Sequence, residues 1–395
     1  MMAFFYYLRY YTYRNEVLSM KHYEDALLYV ENTQEELIQL IKDLCAIPSF
    51  SHHEEKKAKF IKEWFKKINT DVYIDEKFNV ILEINAENKN ELTVFMAHID
   101  TVFPDETGFT CIEKDGYLCA PAVGDDTANV AELMLIAKYL IEHKYTCPKG
   151  CLIVFNSCEE GLGNLDGSRY LLNSYKGRVK ELYSFDGGFK NLVIKAVGSI
   201  RYKINIETEG GHSYGAFGNK NAIALASEII SYLYTYKVPS RGRSTYNVGV
   251  IEGGTSVNTI AQNASFLFEF RSDHRDDLEE MKAFFDQVIH TYKEKGYSIN
   301  VEVLGERPCM GDVDEEEMKE VILHVSNTIE QYTGNIPTCS SGSTDCNMSY
   351  SLGISGCCFG GYSGQGAHTR EEKIEIASLL VGMKIVMHFV LDYME

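Results

Sequence analysis

In Thr93-Val94-Phe95-Met96-Ala97-His98-Ile99-Asp100 an apolar run of strand length ends on a histidine and an aspartate. Downstream, the segment from about Asp126 to His143 turns Val130, Leu133, Met134, Ala137 and Tyr139–Leu140 inward at helical spacing, and Leu152-Ile153-Val154-Phe155 is a second short apolar run. Strand, long helix and strand in that order predict an α/β fold: a mixed or parallel sheet with helices on both faces. The N-terminal flank agrees. Thr33-Gln34-Glu35-Glu36 has the form of a capping box, after which Leu37, Leu40, Ile41 and Leu44 recur at helical spacing until Pro48. Phe60, Ile61, Trp64 and Phe65 repeat the pattern, and Asn79 to Ile84 reads as a strand.

From about Ser199 the grammar changes. Strand Ile200–Glu209, helix Asn221–Tyr236, strands Ser244–Glu252 and Ala264–Ser272, helix Arg275–Lys295 and strand Ser298–Leu304 give the order βαββαβ, a ferredoxin-like unit. It is expected as an insertion, residues 198–305, that splits the first domain into residues 21–197 and 306–395; residues 1–20 read as an extension. Phe266, Phe268 and Phe270 share one face of their strand and must bury against the two helices, which sends Arg271 to the other face. There Arg271 could reach a ligand or a partner subunit, or pair with Glu269. After Gly305 the first pattern resumes, with helices expected around Glu315–Tyr332 and from Glu371 to Tyr393. Between them the glycine-rich segment Cys339–His368 predicts short strands and tight turns near a site.

A hydrophobic content of 45% beside 24% charged residues predicts globular folding, and the net charge of −19 makes nucleic acid and anionic membrane poor partners. The 11 cysteines are scattered, odd in number and lack a C-x-x-C pair, which predicts free thiols in a reducing compartment. The apolar N-terminal stretch is too short for a membrane span, and Arg9 and Arg14 follow it instead of preceding it as in a signal peptide. Cytoplasm is the expected location.

Five acidic or imidazole motifs stand at element ends. His98 and Asp100 close a strand, where open α/β sheets bind ligands, and Asp100 could fix the histidine tautomer. Gly124-Asp125-Asp126 precedes the long helix, either as a dipole-complementing cap or as a carboxylate that bridges cations. Glu159-Glu160 follows Leu152–Phe155; adjacent carboxylates there are solvated at the surface, or are relieved by a cation or a shared proton. Phe185-Asp186-Gly187 and Gly366-Ala367-His368 complete a set of oxygen and imidazole donors that suits zinc. His212, flanked by glycine in the inserted unit, is an exposed loop residue or a catalytic one; His52, His53 and His143 read as surface residues.

As an ordered set these residues resemble the zinc exopeptidase and deacylase family of peptidase T, carboxypeptidase G, acetylornithine deacetylase and succinyl-diaminopimelate desuccinylase, over roughly Leu37 to Leu380. The resemblance implies one zinc on His98, Asp125 and Asp186, a second on Asp125, Glu160 and His368, Asp100 behind His98, and Glu159 as general base toward a water between the metals. Cobalt or manganese would suit the same donors. It makes the inserted unit a lid or dimerisation domain, in which His212 stabilises the oxyanion, often across a homodimer. Asn258 and Arg271 would hold the substrate carbonyl and carboxylate, which decides Arg271 in favour of binding. Where many members have lysine, this chain has Thr127. Aspartate at position 186 tends to mark aminopeptidases, so di- or tripeptide aminopeptidase activity is expected. The rivals are a deacylase of N-acyl amino acids and a non-catalytic zinc-binding protein on the same scaffold.

Overall fold

The computed structural model describes residues 23–395. The extension expected over residues 1–20 lies outside them. The main sheet has the strand order Tyr73–Ile74, Val80–Ile84, Cys151–Asn156, Leu92–His98, Val179–Phe185, Ser355–Phe359, Asn191–Ala196, Thr338–Gly342. The strands Cys151–Asn156, Leu92–His98, Val179–Phe185 and Ser355–Phe359 run parallel, so their carboxyl ends open on one side of the sheet.

All seven residues of Leu92–His98 are buried, and their alternation divides them between two cores. Phe95 and Ala97 join the core built with helices Gln34–Cys45, Asn129–Glu142 and Ile376–Leu391; Val94 and Met96 join the opposite one with Leu171, Leu172 and Met348. Burial on both faces is why the run is apolar without a polar alternate.

The inserted unit forms a separate antiparallel sheet, in the order Ser244–Gly253, Asn263–Ser272, Gly198–Glu207, Ser298–Arg307. Phe266, Phe268 and Phe270 bury with Leu225, Ile229 and Phe285 of the helices Ala222–Leu233 and Arg275–Glu294 in a core of their own. The Tyr202 and Phe285 rings stack with centroids 4.3 Å apart.

Four local expectations are corrected. Thr33 caps nothing: residues 23–32 are already helical, its hydroxyl donates back to Tyr29 O at 2.9 Å, and Glu36 turns to Lys138 at 2.9 Å. The last helix begins at Ile376, not Glu371, because Lys373–Glu375 pairs as a strand with Tyr117–Cys119. The segment Cys339–His368 holds a helix, Cys346–Ser351, beside its strands and turns. The long central helix likewise starts at Asn129, after an irregular turn in which Asp125 and Asp126 have non-helical backbone angles.

Candidate active site

The parallel strands deliver the acids and imidazoles to one place. His98 ends its strand, 1% exposed, and its backbone N–H donates to Asp126 Oδ2 at 3.0 Å. Its Nδ1 lies 3.2 Å from the Asp100 carbonyl oxygen and 3.4 Å from the Asp100 carboxylate, which keeps the Nδ1 proton toward the protein and turns Nε2 outward. Asp100 does more than back the ring. It accepts the N–H of Glu159 and of Glu160, both at 2.9 Å, and the Ser51 hydroxyl at 2.7 Å, so it ties two strand ends together.

Asp125 stands between two histidines. Its Oδ1 is 3.0 Å from His98 Nε2 and its Oδ2 is 3.1 Å from His368 Nε2, which is also 3.1 Å from Glu160 Oε1. The peptide bond between Asp125 and Asp126 is cis. Beneath this turn the buried Glu372 carboxylate accepts the N–H of Ala122 at 2.8 Å and of Gly124 and Asp125 at 2.9 Å. Burial pushes Glu372 up to about 7, yet three donors face it, which favours the ionised acceptor. Only glycine fits at 124, where a Cβ would lie 2.7 Å from the Tyr362 ring.

Ligand atoms of His98, Asp125 and Asp186 lie within 4.8 Å of one another, as do those of Asp125, Glu160 and His368, and those of His98, Glu159 and Glu160. Burial pushes Asp126 and Glu159 well above the carboxylate range, raises Glu160 from its ordinary value, and pushes Asp186 up to about 7 with repulsion from Asp125 adding to it. Burial acts in the same direction on Asp125, but His368 and His98 outweigh it and hold Asp125 low. Asp125 and Glu160 drive His368 up to about 11. Carboxylates that burial discourages from ionising, and imidazoles charged only by those carboxylates, describe a site completed by cations. Glu160 Oε1 is buried with the His368 ring nitrogen 3.1 Å away and no well-aligned donor on it, which suits a metal ligand. Nitrogen and oxygen donors alone fit a divalent metal.

The residues expected from the inserted unit are elsewhere. Among the described residues none of the close polar contacts joins His212, Asn258 or Arg271 to this cluster. His212 and Asn258 are exposed neighbours, with Ser213 N donating to Asn258 O at 3.0 Å and His212 paired with Thr259 across a two-residue ladder. Arg271 donates to Glu269 at 3.0 and 3.2 Å, the pairing that its spacing left open.

Sequence reasoning missed four supports. Arg307, 4% exposed, reaches the Glu159 carboxylate at 3.3 Å. Ser51 and Glu372 act as described above; Glu372 stands in the segment that carries the resemblance, but nothing there indicated its task. Lys57 is buried beneath the cluster and lines the same small cavity as Thr127, so a cation enters this region from helix Glu55–Lys67.

The pattern of peptidase family M20/M25/M40 matches residues 94–392. The uncharacterized protein YqjE of Bacillus subtilis (strain 168) is 24% identical over 376 residues, spanning 90% of this chain and 97% of that protein. Among solved structures, aminopeptidase PepT of Bacillus cereus ATCC 10987 superposes with a TM-score of 0.68 at 23% identity, over 90% of this chain and 98% of its own. A tripeptidase of Staphylococcus aureus subsp. aureus Mu50 gives 0.72 at 21% identity, over 90% and 97%. Such structural likeness speaks for the fold and leaves the substrate to the site.

Proposed function

This chain belongs to peptidase family M20/M25/M40 and is a metallopeptidase, and from that premise we propose that it is a two-zinc aminopeptidase of di- or tripeptides. The observation that carries the reading is Asp125, one carboxylate set between two histidines and shared by two three-residue ligand groups. His98, Asp125 and Asp186 would hold one zinc, and Asp125, Glu160 and His368 the other; cobalt or manganese would fit the same donors. When bound, such metals polarise the scissile carbonyl and lower the pKa of water.

The chain's own groups supply the rest. Glu159, 4% exposed, takes a proton from the attacking water and returns it to the departing amine, a task that suits a carboxylate raised by burial. Asp100 holds His98 with Nε2 toward the site. The short Asp186 side chain leaves room and negative field for an α-ammonium group. We assign the oxyanion to His212, supported by its exposure on a loop that a closing lid or a partner subunit could bring in, and the far carbonyl to Asn258 beside it. A substrate carboxylate would have to draw Arg271 away from Glu269.

Two features support a cytoplasmic homodimer. The strand Ser244–Gly253 is one of the two edges of its sheet, with Val250 44% and Ile251 52% exposed, and an apolar edge of that kind invites a second copy. The cysteines are all free thiols. Among the described residues no helix is long and apolar enough to cross a membrane.

The test is a comparison of dialanine, trialanine and N-acetylalanine with metal-loaded protein. We expect the free-amino peptides to be cleaved and the acetylated amino acid to be spared. Glu159→Gln should keep its metals and lose about 10²–10⁴-fold in turnover. Efficient hydrolysis of N-acetylalanine with both peptides inert would replace the aminopeptidase with a deacylase.

A further inference from the structure

Arg307 is the last residue of strand Ser298–Arg307, through which the chain leaves the inserted unit, and it pairs there with Ser199 of the entering strand. The two crossings between the units therefore lie side by side. From this point the buried guanidinium turns away from its own sheet. Its Nη1 is 3.3 Å from Glu159 Oε1 and 3.2 Å from Ser343 Oγ, while Nη2 donates to the Glu159 carbonyl and, at 3.4 Å, to the Gly161 carbonyl. Neighbouring contacts follow the same line. Arg201 Nη1 donates to Gly161 O at 2.5 Å, Arg169 Nη2 to Glu306 O at 3.0 Å, and Glu306 N to Asn164 Oδ1 at 2.7 Å.

Among the described residues, Arg307 is the ion-pair partner of Glu159, and the contact engages one carboxylate oxygen. A long carboxylate side chain left to itself samples several rotamers; a guanidinium fork holding both its carbonyl and its Oε1 selects one. The other oxygen is then left for the proton. Because the fork is anchored where the inserted unit joins the sheet, a rotation of that unit would act on Glu159 through this contact.

We propose that Arg307 is a positioning residue that sets the rotamer of Glu159 and links it to the placement of the inserted unit. This rests on the reading of Glu159 as general base. A mere brace between the units would use the carbonyl contacts alone, and its loss would lower stability without changing turnover in the metal-loaded enzyme.

The experiment compares wild type, Arg307→Ala, Arg307→Lys and Glu159→Gln, each with metal content and melting temperature measured. The substrate is trialanine, or N-acetylalanine should the chain prove a deacylase. Arg307→Ala is expected to lose about 10–100-fold in kcat, the usual loss for a group that orients an active-site residue. KM should stay within about threefold, metal content should be unchanged, and millimolar guanidinium should restore part of the rate. Arg307→Lys keeps the charge but not the fork, so it should fold as wild type and still lose kcat. Near-wild-type kcat in both Arg307 variants, or a loss explained by missing metal, or no response to guanidinium in a folded Arg307→Ala, would overturn the proposal. An inactive Glu159→Gln beside normal Arg307 variants refutes Arg307 alone. A fully active Glu159→Gln refutes the base assignment, and the Arg307 proposal with it.

Discussion

Glu372→Gln separates the support of the site from its chemistry, because Glu372 touches no proposed substrate position and serves only the turn that carries Asp125. In the wild type Oε1 accepts two backbone N–H groups and Oε2 one. A glutamine can place its oxygen at the first position and keep two bonds, but its NH₂ then faces the N–H of Ala122. The cost is one hydrogen bond to a charged acceptor, about 1.5–3 kcal/mol, plus a buried donor without a partner, about 1–3 kcal/mol. With partial relaxation of the turn, roughly 2–4 kcal/mol is a fair expectation. It should appear in two readouts: a melting temperature several degrees lower, and a metal affinity about 10–100-fold weaker as the Asp125 turn loosens. Competition with a chromophoric chelator measures the affinity, and thermal unfolding of the metal-free protein measures the stability. Glu371→Gln, one residue away and exposed, is the control and should change neither. Unchanged metal affinity and melting temperature in Glu372→Gln would refute the argument that this carboxylate holds the metal-binding turn.

His212→Ala should lower kcat far more than it weakens substrate binding, since oxyanion stabilisation acts in the transition state. Mixing it with Glu159→Gln should restore activity if the histidine works across the dimer; no recovery in verified heterodimers would favour a histidine acting within its own subunit or not at all. Ile251→Lys puts a charge on the Ser244–Gly253 edge of the inserted sheet and should shift the protein to monomer in sedimentation velocity; an unchanged dimer would move the interface elsewhere. Asp392 tests pH linkage away from the site. Burial acts to raise its pKa, but hydrogen bonds from His324 at 2.6 Å and Tyr23 at 2.5 Å outweigh it, so the folded pKa lies below the unfolded value of about 3.9. Its stabilisation is therefore present above about pH 4 and lost as pH falls through the folded pKa. Asp392→Asn should melt lower than wild type at pH 6, with the gap narrowing as the pH is taken progressively below about 4; a gap independent of pH would contradict this.

Much of the architecture was legible because it depends on neighbours in the chain. Seven buried residues in a row announce a central strand wherever it is placed, and Phe266, Phe268 and Phe270 declare a face by alternation alone. A motif at a strand's carboxyl end inherits its position from the strand, so the order of His98, Asp125, Glu160, Asp186 and His368 could be read before any contact was known. Local rules failed where a distant partner competed. Thr33 looked like a cap until the preceding helix took its hydroxyl, and the last helix waits until Ile376 because Lys373–Glu375 found a strand to join.

The sequence by itself determined the element types, the inserted βαββαβ unit and the donor atoms on offer, since these follow from hydrophobic period and side-chain chemistry. Tertiary structure alone decided which donors meet. Glu372 lies 247 residues from the Asp125 whose N–H it accepts, and Arg307 lies 148 from Glu159. It also decided that Arg271 turns to Glu269 while Arg307 turns to Glu159, although both arginines lie at or beside the end of a strand of the same sheet. The reason is physical: burial and opposing charge set the value of an acidic or basic group, and both depend on which elements the fold packs together.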